Sequence, residues 1–136
     1  MDTERLKREI LVGAHEASHL RARIHNTFKT RGNSSRDRDT WLAACKEFHS
    51  RYNELAFPGG YEGAEARIVA GDPQTIEVAL CFLELRPYFF RSGYMYQSLL
   101  RKMKRAAITQ DQTERLQVVL ERLNEWRMRK AAENAI

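Results

Sequence analysis

The chain has little that would interrupt or staple it. Three prolines in 136 residues leave room for long helices, since each proline removes a backbone donor and disturbs the turn before it. The seven glycines are few, and four of them fall between residues 59 and 71. Cys45 and Cys81 are too few for a disulfide framework. Each sits in an apolar helical pattern, where a free cysteine behaves as a small hydrophobe. No apolar run approaches the ~20 residues of a membrane helix. Alternating strand patterns, internal repeats and low-complexity segments are absent. So are a glycine-rich phosphate loop, the Rossmann glycine pattern, G-x-S-x-G and a Cys-His nucleophile spacing. The opening Met1-Asp2-Thr3-Glu4 is polar and acidic, unlike a secretory leader. The expectation is a protein of the reducing cytosol with no membrane contact.

What is present is a globular composition with a basic excess. Hydrophobic residues at 43% and charged residues at 30% are enough to build a core and too apolar for a disordered chain. The net charge is +5 and is unevenly spread. Residues 1–40 hold nine basic and six acidic groups, residues 41–90 four and seven, and residues 91–136 ten and five. A basic exterior around a mildly acidic middle suits an acidic partner.

The stretch Asp72 to Arg105 organises the rest. Gly71-Asp72-Pro73 reads as a corner between two helices: glycine past the end of one, aspartate capping the next, proline at its first position. From Ile76 to Leu85 apolar residues point almost all round the helix, with only Glu77 and Glu84 as a narrow polar stripe. A helix of that kind is buried. The stripe is expected to face solvent or to pair with Arg86 or Arg91. Arg86 precedes Pro87, which drives it out of the α region and ends the helix.

Around this centre the spacing predicts further helices. Leu6, Ile10, Gly13, Ala17, Leu20, Ile24 and Phe28 form one seam between Thr3 and Lys29. Trp41, Cys45, Phe48, Tyr52 and Leu55 form a second, capped by Asp37 or Asp39. Between them, residues 30–39 read as a mobile polar loop. A short helix from about Glu62 to Ala70 meets the Gly71 corner. Tyr96, Leu99, Leu100, Met103 and Ala107 give an apolar face from about Tyr94 to Ala107. Thr109-Gln110-Asp111-Gln112 has capping-box spacing before a last helix carrying Leu116, Val119, Leu120, Leu123 and Trp126. Residues 133–136 read as a frayed tail.

One string carries the spacing of a metal site. His15-Glu16-Ala17-Ser18-His19 satisfies H-E-x-x-H, in which two histidines one turn apart grip zinc and the glutamate is a general base. With His25 six residues on, and Ser92-Gly93-Tyr94-Met95-Tyr96 similar to a Met-turn, the string resembles the metzincin zinc proteases. That resemblance implies a zinc-dependent hydrolase with His15, His19 and His25 as ligands. Ala22, however, stands where the family places a helix-breaking glycine, and no strands precede His15. A continuous helix keeps His25 off the line of His15 and His19. The expected reading is therefore a helix surface, with His15 and His19 as the secondary candidates for a metal clip.

Two further features suggest contacts. Arg91, Arg101, Lys102, Lys104 and Arg105 lie close in sequence to Tyr88, Phe89, Phe90, Tyr94 and Tyr96. Basic groups neutralise phosphates and aromatic faces stack on bases, although the aromatics also fit a core and the late basic residues also offset a helix dipole. The loop Phe57-Pro58-Gly59-Gly60-Tyr61 offers two aromatic anchors of the kind enriched at interfaces, or else folds back to close the core.

The sequence thus predicts one all-α domain, a compact bundle of five to six helices with a buried central helix. No cofactor and no catalytic residue is expected. The functional expectation is a non-enzymatic protein-binding module, such as a bacterial immunity protein or an adaptor, meeting an acidic protein partner. Arg91, Arg101, Lys102, Lys104, Arg105, Phe57 and Tyr61 are the expected contacts. The first alternative is a nucleic-acid binder, and the second a metal-dependent hydrolase.

Overall fold

The computed structural model describes residues 2–135. Six helices follow one another, and no strand occurs among the described residues: α1 (Thr3–Phe28), α2 (Ser35–Ala56), α3 (Ala64–Val69), α4 (Pro73–Leu85), α5 (Ser92–Met103) and α6 (Gln110–Asn134).

The first two helices form an antiparallel hairpin. Its pairing runs from Arg23–Glu47 through Glu16–Arg51 to Gly13–Leu55, so residue numbers fall on one helix as they rise on the other. Gly13 lets the backbones meet, since a Cβ there would sit 2.2 Å from the Leu55 carbonyl oxygen. The predicted seam of α1 is buried from Leu6 to Leu20. Its last member, Phe28, lies edge-on to Trp41 at the hairpin tip. Half of the expected loop, residues 35–39, is helix, and residues 30–34 form the connection. Ser34 is the N-cap, accepting the Asp37 N–H at 3.0 Å. Residues 35–39 are therefore helical, and Asp37 and Asp39 cap nothing. The sequence holds the reason: Ser34 is followed three residues later by Asp37, whose charge suits the positive end of a helix.

The corner at Gly71 is a Schellman turn. Asp72 N–H reaches back to the Arg67 carbonyl and Gly71 N–H to that of Ile68, with Gly71 at φ 84°. Asp72 then caps α4 by accepting the Thr75 N–H, and Pro73 occupies the first position. In α4 every residue from Thr75 to Leu83 is buried, and the helix touches α1, α3, α5 and α6. Truncating the wholly enclosed Phe82 to alanine would cost about 3–5 kcal/mol.

The stripe on α4 faces neither solvent nor Arg86 and Arg91. Arg115 of α6 lies across it, 2.8 Å from Glu77 and 2.6 Å from Glu84. Thr3 and Gln112 donate to the same Glu77 carboxylate, and Lys7 stands 3.6 Å from Glu84. Periodicity finds the stripe, but its cover comes from α1 and α6, distant in sequence. Thr109 and Gln112 form the predicted capping box of α6. That helix buries Leu116, Val119 and Leu123, and from Asn124 onward its described residues are exposed. Glu133 and Asn134 continue α6, with Ala135 as its C-cap. Ile136 lies outside the described residues.

Candidate functional site

The histidine string does not converge on a metal. α1 is unbroken through Ala22, and His15, His19 and His25 are all exposed along it. At 1.5 Å per residue His25 sits about 15 Å beyond His15. Glu16 is engaged by Arg51 of α2 at 3.2 Å. Among the described residues no three His, Cys, Asp or Glu side chains stand together as metal ligands. Cys81 offers no activated nucleophile, because burial and the neighbouring Glu77 charge push its thiol up to about 11.

The loop from Phe57 to Tyr61 requires a correction. Phe57 has no exposed surface and packs its ring against those of Tyr61 and Phe82. It is part of the core and not a partner contact. Tyr61 is half-buried and its hydroxyl lies 3.2 Å from Glu65. Arg67 ties the loop down by donating to the Gly60 and Glu62 carbonyls and to Thr75 on α4. Two aromatic rings beside a core find more apolar surface by folding inward than by facing water.

The five predicted basic contacts divide between two places. Arg101, Lys104 and Arg105 are exposed and Lys102 half-buried in and beyond the last turn of α5. Arg91 is the N-cap at the other end of that helix. Twelve residues of helix separate the two ends by about 18 Å.

Arg91 belongs instead to a groove of about 980 Å³ between α1 and the turn joining α4 to α5. Its rim carries three guanidiniums. Arg21 comes from α1 and lies 3.8 Å from the centroid of the Phe90 ring; Arg91 is 5.6 Å from the same centroid. Arg86 stands between Tyr96 and Trp126, at 5.0 and 4.9 Å from their centroids. Among the described residues none of the three arginines forms an ion pair with a carboxylate, and no acidic residue lines the groove. His25 completes the basic lining.

The turn that presents these groups is strained. Arg86 at φ 47° and Arg91 at φ 68° adopt the left-handed conformation, which costs a non-glycine residue about 1–2 kcal/mol each. Arg86 is the C-cap of α4, its N–H donating to the Phe82 carbonyl, and Pro87 behind it keeps the helix from continuing. Tyr52 steadies the turn from α2 by donating its hydroxyl proton to the Phe90 carbonyl at 2.6 Å. Phe89 and Pro87 point inward, whereas Tyr88 is 93% exposed and Tyr94 78% exposed. The first turn of α5 also opens here. Ser92 N–H is taken by the Phe89 carbonyl and Met95 N–H by that of Arg91. Among the described residues no acceptor takes the N–H groups of Gly93 and Tyr94.

The sequence named Arg91 and the aromatics but grouped Arg91 with the cations at the far end of α5, and it gave no reason to join Arg21 or His25 to them. Arg21 and His25 come from α1, more than sixty positions away, and look like any solvated helix face. Arg86 carried one usable signal, its place before Pro87. No family model matches this chain, and no curated protein or solved structure matches it significantly.

Proposed function

We propose that this chain is a non-enzymatic binding module that holds an acidic protein partner in the groove between α1 and the α4–α5 turn. One observation carries the reading: Arg21, Arg86 and Arg91 share a groove to which no described residue brings a carboxylate. Like charges gathered this way repel one another, and an anionic partner relieves that repulsion. Arginine and tyrosine are also the residue types that carry interface energy most often. A blocking or escorting role, as in an immunity protein or an adaptor, is the concrete form of this proposal and rests on analogy of class. The cations at the far end of α5 become a second, weaker rim contact.

The test is affinity capture with the wild-type chain and with an Arg21→Glu/Arg91→Glu variant. A stoichiometric partner with an acidic face, held by the first and lost by the second, supports the proposal. Equal capture by both sinks it. The bare rings of Tyr88 and Tyr94 beside guanidiniums favour single-stranded nucleic acid as a second reading. Titration of labelled RNA and DNA at two salt concentrations decides between them, since binding through phosphates weakens steeply with salt.

A further inference from the structure

Building on the groove as the partner-binding face, we infer that it reads a phosphate monoester carried on a phosphorylated segment of the partner protein. Arg21 and Arg91 both lie against one ring, Phe90, at 3.8 and 5.6 Å from its centroid, which brings two guanidiniums to one place on the groove wall. Each presents five N–H donors in a planar fork, and neither spends them on a carboxylate of the described residues. The N–H groups of Gly93 and Tyr94 add two donors at the positive end of α5. Gly93 leaves that approach open, because nothing lies within 4 Å of where a Cβ would be.

The supply of donors and charge decides the ligand class. A carboxylate brings one charge and two oxygens, which leaves most of these donors unmatched. A phosphodiester also brings one charge. A phosphate monoester brings about −1.5 to −2 charges and three acceptor oxygens at neutral pH, and arginine clusters are its usual receptors. The exposed rings of Tyr88 and Tyr94 then meet the residues on either side of the phosphorylated position. A free phosphorylated metabolite would leave both rings uncovered, so a peptide segment is the better match.

The experiment immobilises four degenerate peptide libraries that differ at one fixed central position: phosphoserine, phosphotyrosine, glutamate or serine. The intact chain should be retained on a phosphorylated library about tenfold more strongly than on the glutamate one, the difference expected from one additional charge-assisted hydrogen bond. Arg21→Gln/Arg91→Gln should abolish that preference. Arg21→Lys/Arg91→Lys, which keeps the charge and loses the fork, should reduce it while circular dichroism stays unchanged. Equal retention on glutamate and phosphate overturns the inference and leaves the acidic-partner reading standing. Stronger retention on a mixed-sequence single-stranded oligonucleotide, or competition by glycerol phosphate at the peptide's own concentration, also overturns it. Retention on none of these anions overturns the inference and the acidic-partner reading together.

Discussion

Arg115 on α6 places its Nη1 2.8 Å from one oxygen of Glu77 on α4 and 3.0 Å from the other. Glu77 is only 4% exposed, so this contact neutralises a carboxylate inside the bundle. With Nη2 on Glu84, the same guanidinium fastens the first turns of α6 to the central helix. Its pKa is driven upward, first by the hydrogen bond to Glu84 and against the opposing effect of burial.

Arg115→Ala should therefore lower stability by about 3 kcal/mol, because it strands a buried charge. The change should appear as a lower urea midpoint with an unchanged slope. Replacing Glu77 and Arg115 together by methionine should recover part of the loss, since the stranded charge is then gone. A single mutant indistinguishable from wild type would mean that the clamp contributes nothing.

The same carboxylate sets a pH dependence. Burial pushes the Glu77 carboxyl up, but hydrogen bonds from Arg115, Thr3 and Gln112 outweigh it and hold the group below its ordinary value of 4.5. A carboxyl depressed in the folded state stabilises fully above its unfolded pKa and loses that contribution as pH falls through the folded value. The urea midpoint should hold steady from pH 7 to about pH 5 and decline below it. Glu77→Gln should shallow that decline.

Gly13 and Gly32 form a matched pair of sites. An added methyl at Gly13 meets the Leu55 carbonyl, and that contact can be relieved only by moving a backbone. Gly13→Ala should cost about 2–3 kcal/mol as the α1–α2 hairpin is forced apart. At Gly32 a methyl meets nothing, so Gly32→Ala should stay within about 0.5 kcal/mol of wild type. Thermal denaturation of both variants reads the difference directly.

Phe57 and Tyr88 separate core from contact. Phe57→Ala should destabilise by about 3–5 kcal/mol, as for any enclosed ring. Tyr88→Ala should leave stability within about 0.5 kcal/mol and weaken partner capture. If Tyr88→Ala unfolds the chain, or binds as wild type does, the groove is not the contact surface argued above.

The contrast between those two aromatics shows how far the sequence could be read. Both stand beside a proline and a basic or glycine-rich turn, and both suit an interface by type. Periodicity does not assign them, because each lies outside a helix. Asp72, Pro73, Thr109 and Gln112 were legible, because a cap is made by residues within one turn of each other. The cap of α2 was misplaced: Asp37 and Asp39 were expected in the role that Ser34 fills, all three being cap-forming residue types within one polar stretch. Arg101, Lys102, Lys104 and Arg105 were found as basic residues, while their separation from Arg91 depends on which end of α5 each occupies.

The sequence by itself determined the all-helical bundle, the corner at Gly71 and the burial of α4, since caps, left-handed glycines and unbroken apolar faces act over a few residues. Tertiary packing decided which cations are spent and which are free. Arg115 and Arg21 both lie on helices and look alike in the sequence. The first is closed over two carboxylates from α4, and the second lies against Phe90 with no carboxylate partner among the described residues. Charge pairing acts through space between segments dozens of positions apart, so only the assembled bundle could distribute it.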